Sequence, residues 1–190
     1  LYQQFERRDE QCQMSCAVGK AFEQSENLVV EAGTGVGKSM AYLLPAALLA
    51  KKNNITVGVA TKTNALLDQL IYHELPLLDK ALGGLTYAAL KGFSHYPCLR
   101  KIEHLVAEHQ FDRMLGDKQT TCAVAAAALL SFIEQSEYSD IDTLKIDYRL
   151  LPRWSITCGS QECLRRKCPY YGASCFVHGS RRKAAAADIV

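Results

Sequence analysis

Two groups of residues in this sequence have the types and spacing to do chemistry. The first is the run Val29-Val30-Glu31-Ala32-Gly33-Thr34-Gly35-Val36-Gly37-Lys38-Ser39. Three alternating glycines let successive backbone N–H groups turn toward one anion. Lys38 follows them with a charge that can reach β- and γ-phosphates, and the Ser39 hydroxyl can ligate Mg²⁺. Ala32, Gly33, Thr34, Gly35, Val36 and Gly37 then form the cradle, with Ala32 standing where the strict phosphate-loop pattern has its first glycine. The second group is Cys163-x4-Cys168-x6-Cys175, three thiols within reach of one centre. Structural zinc usually shows tighter pairs, so these gaps favour a larger inorganic core such as an iron–sulfur cluster. A fourth ligand is needed, and on spacing both Cys98 and Cys158 qualify. Cys158 through Cys175 is also a candidate local four-cysteine zinc site.

The elements that must position these groups follow from periodicity. Met14, Ala17, Val18, Ala21 and Phe22 repeat at helical spacing. Upstream of them Arg8 and Gln11 carry groups able to read an adenine edge. Val29 and Val30 predict a short strand entering the loop, and Lys38 opens a helix whose N-terminal dipole faces the same anion. Met40 to Ala50 is almost wholly apolar, as in a helix buried against a sheet. Ile55 to Ala60 is β-branched and predicts a second strand. Thr61, Lys62 and Thr63 follow, where hydroxyls and a lysine can hold a nucleic-acid backbone and Thr63 can cap the next helix. Ala65 to Leu82 predicts that helix, with Leu66, Leu67, Leu70, Ile71, Leu75 and Leu78 inward and a possible kink at Pro76; Leu85 to Leu90 predicts a third strand. The alternation implies a three-layer α/β domain with a parallel sheet.

From Lys91 to about Gly179 the alternation stops, and six of the eight cysteines lie there. The stretch includes an alanine-rich helical segment, Cys122 to Phe132. An insertion that leaves a core domain and returns to it is the simplest organisation, giving residues 1–91, 92–179 and 180–190. Cys12, Cys16 and Cys122 lie on apolar-periodic stretches and are expected in the core.

The 190 residues are 48% hydrophobic and 22% charged, which excludes a disordered chain. Net charge is only +2, but from Cys163 to Ala187 there are six basic residues and no acid. Between Glu134 and Asp147 five acids face Lys145 alone. No apolar run is long enough to span a membrane. Cysteines clustered beside a phosphate loop point to reduced thiols and a metal rather than a secreted disulfide scaffold, hence to a cytoplasmic protein.

The order of Phe5-x2-Arg8-x2-Gln11-x2-Met14, the glycine loop, Ala60-Thr61-x-Thr63, Leu90-Lys91-Gly92-x3-Tyr96-x-Cys98, Cys163-x4-Cys168-Pro169, Cys175-Phe176-Val177 and Ala187-Asp188-Ile189-Val190 resembles the DinG-like and YoaA-like branch of the XPD family of iron–sulfur DNA helicases. The resemblance implies a RecA-like parallel sheet with helices on both faces, interrupted by a mostly helical, cysteine-rich iron–sulfur insertion. It implies a superfamily-two motor, acting as a monomer in repair or replication, that hydrolyses ATP with Mg²⁺ and moves 5′ to 3′ on single-stranded DNA. By motif match, Arg8 and Gln11 read adenine, Lys38 and Ser39 take phosphates and Mg²⁺, and Thr61, Lys62 and Thr63 lie on the DNA track. Cys98, Cys163, Cys168 and Cys175 hold a [4Fe–4S] cluster. The family's Asp-Glu-x-His motif does not occur, so the chain is expected to be an N-terminal piece that binds nucleotide without turnover. The competing readings are a nucleic-acid-binding module with structural zinc and a silent phosphate loop, and a small phosphate-loop kinase with a cysteine-rich lid.

Overall fold

The computed structural model describes residues 7–107 and 119–190, the side chains of 119–122 excepted. Phe5 and the Cys122 side chain lie outside that description. The chain divides into two compact units, residues 1–89 with 183–190 and residues 90–182.

In the first unit α1 (Asp9–Gln24) starts with Asp9 and Glu10, whose charges complement the positive end of the helix. It stops at Ser25, in the left-handed region at φ 54°, whose N–H caps the Ala21 and Phe22 carbonyls. α2 (Lys38–Asn53) lies against α1, close enough that a Cβ at Gly19 would stand 3.9 Å from the Pro45 Cβ. Its last turn carries Lys51 and Lys52, suited to the negative end of the dipole. The helix expected over Ala65–Leu82 is broken into α3 (Asn64–Gln69), a π-helical turn (Leu70–Glu74) and α4 (Leu75–Leu82). Pro76 is the cause: it has no N–H to continue the ladder, and the Leu75 N–H bonds to the carbonyl of Leu70, five residues back. Leu43, Ala46, Ala47, Ala50, Leu70, Leu75, Leu78, Leu85 and Ile189 form the core. Leu66, expected inward, is exposed.

The expected RecA-like parallel sheet is not found. Among the described residues no strand forms, and the extended segments meet only through isolated parallel bridges, Val57 with Ile189 and Tyr87 with Ile189. Hydrogen bonds surround each bridge, Val57 N–H to Asp188 carbonyl at 2.9 Å and Ala88 N–H to Ile189 carbonyl at 3.0 Å. They do not extend into a ladder, and Ile189 alone bridges to both neighbours. The segment entering the glycine loop joins no bridge, and Val29 is 96% exposed. A helical unit with bridged extended segments therefore replaces the α/β expectation.

The second unit contains α5 (Leu99–Ala107), α6 (Gln119–Gln135), α7 (Arg153–Ile156) and α8 (Phe176–Ala185), the last running on into the first unit's residues. One core joins Ile102, Leu105, Ala125, Leu129, Ile141, Leu151 and Ile156, and another joins Tyr96, Phe176 and Val177. A charged node sits beside them. Lys91 Nζ donates to Asp140 and Asp142, both at 3.1 Å, His95 Nδ1 lies 2.7 Å from Asp142, and Arg153 also pairs with Asp142. Burial pushes the Asp142 pKa up, but hydrogen bonds from Arg153, His95 and Lys91 outweigh it and hold the carboxyl well below the usual range.

These burials predict unequal mutational costs in the first unit. Leu43→Ala should lose about 2–5 kcal/mol in denaturant unfolding, by cavity formation at a fully buried site. Val29→Ala should change stability by no more than about 0.5 kcal/mol, as for an exposed side chain. Equal losses would show that Val29 is packed.

Candidate functional site

The glycine loop is held by its own lysine and by the start of α1. Gly35 and Gly37 both have φ 82°, a backbone that side chains disfavour. At Gly37 a Cβ would also meet Gln11 Nε2 at 2.3 Å, a flexible side-chain end that would have to move, so the backbone conformation is what favours glycine there. Gln11 Nε2 donates to the Gly37 carbonyl at 2.9 Å, and Arg8 donates to the Gly35 carbonyl. The two residues expected to read adenine thus meet the loop itself. Lys38 Nζ folds back onto the Ala32 and Gly33 carbonyls, each at 2.9 Å. Ser39, in the first turn of α2, hydrogen-bonds with Tyr42, whose own pKa is raised by burial. A Cβ at Gly33 or Gly35 would meet no atom within 4 Å, so this side of the loop is open.

Thr61, Lys62 and Thr63 stand before α3. Thr63 Oγ1 accepts the Leu66 N–H at 3.3 Å, an N-cap, and Thr61 Oγ1 donates to the Thr63 carbonyl at 3.3 Å. Lys62 is exposed, and among the described residues no hydrogen bond joins these three to the glycine loop.

The second unit brings Cys98, Cys158, Cys163, Cys168 and Cys175 to the lining of one pocket open to solvent. Cys98 arrives there through the antiparallel bridge of Pro97 with Thr157 and the bond from its N–H to the Ile156 carbonyl, 2.8 Å. It immediately precedes α5, as Cys175 precedes α8. Burial raises the Cys175 pKa, while the backbone N–H groups of His178 and Val177 pull against it. Cys158 is buried and donates to the Gly159 carbonyl at 3.3 Å. Burial, reinforced by Cys98 and Cys163, pushes its thiol up to about 11. The Arg165 N–H points to Cys163 Sγ at 3.4 Å.

Single-ion geometry is a different matter. Tetrahedral zinc at a Zn–S distance of about 2.3 Å needs sulfurs roughly 3.8 Å apart. Among the described residues no three His, Cys, Asp or Glu side chains are grouped closely enough to hold a metal ion. The five thiols line the same pocket, and thiolates are the donors that iron–sulfur groups and zinc both take.

Aromatic and basic residues complete the rim. Tyr170, Tyr171, Phe93, Arg100 and Arg165 line the pocket, Arg181 stacks over Phe93 at 4.5 Å and Arg182 over Tyr138 at 5.8 Å. His178 also lines it, packed against Tyr171 with ring centroids 4.2 Å apart. Burial, then Arg181, Arg182 and Arg165, lower the His178 pKa and favour the neutral ring. No spacing in the sequence marks His178. Cys12 and Cys16, expected in the core, are exposed on α1. They fall on the face opposite the stripe formed by Met14, Ala17, Val18, Ala21 and Phe22.

No described helix is long and apolar enough to cross a membrane. No family model matches the chain. Over 188 residues, 98% of the chain, it is 39% identical to the ATP-dependent DNA helicase YoaA of Escherichia coli K12 and 35% identical to that of Haemophilus influenzae. Over 97% of the chain it is 36% identical to the ATP-dependent helicase DinG of Mycobacterium tuberculosis. The chain spans 28%, 28% and 30% of those three proteins. Across nearly its whole length the chain is thus a relative of the DinG-like and YoaA-like ATP-dependent helicases.

Proposed function

We propose that this chain is the ATP-binding and iron–sulfur portion of an ATP-dependent DNA helicase that moves 5′ to 3′ on single strands in repair or replication. The observation that carries the reading is the convergence of Cys98 with Cys163, Cys168 and Cys175 on one pocket, in a chain that also bears a Gly-x-Gly-Lys-Ser loop. The helicase names of its relatives support it.

In this reading Lys38 exchanges two loop carbonyls for the β- and γ-phosphates, and the backbone N–H groups of Gly33 to Ser39 close on the phosphate chain. Ser39 leaves Tyr42 to ligate Mg²⁺. Arg8 and Gln11 stand at the loop and turn toward the base. Thr61, Lys62 and Thr63 contact the DNA backbone. Cys98, Cys163, Cys168 and Cys175 hold the [4Fe–4S] cluster, which supplies a covalent staple across the unit and a one-electron redox centre. Cys158, buried and bonded to a carbonyl, is the thiol left over. Arginines and aromatics on the rim track phosphates and stack on bases. A structural zinc module is the competing reading, and it would use Cys158.

Two outcomes follow. Lys38→Ala should weaken Mg²⁺–ATP binding about ten- to a hundredfold, the loss of one charge-assisted contact to phosphate. Titration with a fluorescent ATP analogue measures it, and unchanged affinity would remove Lys38 from the site. Cys98→Ser should bleach the visible absorbance of protein purified without oxygen and weaken single-stranded DNA binding, while Cys158→Ser leaves both nearly intact. Bleaching by Cys158→Ser with Cys98→Ser silent would reverse the ligand set.

A further inference from the structure

His178 lines the cysteine pocket, and its Nε2 is buried with no hydrogen-bond partner among the described residues. A buried ring nitrogen left unpaired is costly, so such a site points to an acceptor that the polypeptide itself does not supply. The pocket's own side chains narrow what that acceptor is. The Tyr96 hydroxyl already accepts the Lys91 N–H at 3.0 Å, and the Tyr170 hydroxyl bonds to Glu103. Tyr171 meets His178 ring to ring. Five of the lining residues are cysteines, so sulfur is the acceptor the pocket presents in greatest number. The same first turn of α8 already aims the backbone N–H groups of Val177 and His178 at the Cys175 sulfur.

We propose that His178 is a positioning and tuning residue for the cluster, donating its Nε2–H to a cluster sulfur, either a bridging sulfide or a ligating thiolate. The inference rests on the iron–sulfur reading above. A donor to sulfur stabilises the reduced, more negative cluster over the oxidised one, and so raises the midpoint potential. Tyr171 and Phe93, which flank the imidazole, fix its plane. Arg165, Arg181 and Arg182 add positive potential but stay in place when the ring alone is changed.

The test is redox titration, followed by electron paramagnetic resonance, of protein purified without oxygen. His178→Phe keeps the ring contacts and removes the donor, and its midpoint potential should fall below that of the unaltered protein with iron content unchanged. His178→Gln, whose amide nitrogen reaches nearly as far as Nε2, should recover most of the shift. A merely structural ring would leave the potential unchanged in His178→Phe, and that result overturns the inference while the cluster reading stands. Should His178→Phe fail to fold, the unaltered protein decides. With ¹⁵N-histidine labelling, pulsed resonance on the reduced cluster should detect coupling to a histidine nitrogen, and absence of coupling refutes the donor. Unaltered protein without iron and sulfide overturns both readings together.

Discussion

Cys98 meets the later cysteines because Pro97 pairs antiparallel with Thr157 and the Cys98 N–H donates to the Ile156 carbonyl at 2.8 Å. That pairing closes a long loop, whose entropic cost grows only slowly with length but still has to be offset. Two features offset it. The core of Ile102, Leu105, Leu129, Ile141, Leu151 and Ile156 buries apolar side chains drawn from both ends of the loop. The Asp142 node gathers Lys91 and His95 from the outgoing segment with Arg153 from the returning one. Lys91, His95 and the terminal nitrogen of Arg153 all bond to the node's carboxylates, which makes a half-buried ionic cluster tolerable, although the Arg153 Nε is buried without a partner among the described residues. Ile102 N–H bonds to the Cys98 carbonyl at 3.0 Å, so the residue that ends the bridge also starts α5.

The two candidate sites share one electrostatic device. Gly37 leads straight into α2, Cys98 into α5 and Cys175 into α8. Each helix start presents unpaired N–H groups and a positive dipole end to whatever precedes it. At the glycine loop that environment suits a phosphate, and at the two cysteines it suits a thiolate. Cys158 has no such helix ahead of it and lies buried against its neighbour's carbonyl. Cys98 and Cys175 share this helix-start setting, whereas Cys163 and Cys168 flank a short 3₁₀ turn, Arg165–Lys167.

Much of this was legible in residue types. The Gly-Lys-Ser ending marked the start of α2 at Lys38, and Thr63 declared itself as a cap. The sheet was misread because β-branched apolar runs report a wish to pair without reporting a partner. Val29 and Val30 read as a strand, yet Val29 faces solvent and joins no bridge. Cys12 and Cys16 were misassigned because apolar content was counted along α1 rather than around it. The break at Leu70–Glu74 was foreshadowed by Pro76, although a kink and a π-helical turn look alike in sequence. His178 carried no signal at all, since an orphaned ring nitrogen exists only once burial is known. The Asp142 node did leave a trace, an acidic stretch downstream of Lys91, but its partners lie far apart in sequence.

A cluster held by four of the five pocket cysteines is the central claim. Chemical analysis of iron, acid-labile sulfide and zinc in the unaltered protein, purified without oxygen, tests it most directly. The account predicts about four irons and four sulfides per chain with no zinc, as a four-cysteine cubane requires. About one zinc per chain with no sulfide would contradict it.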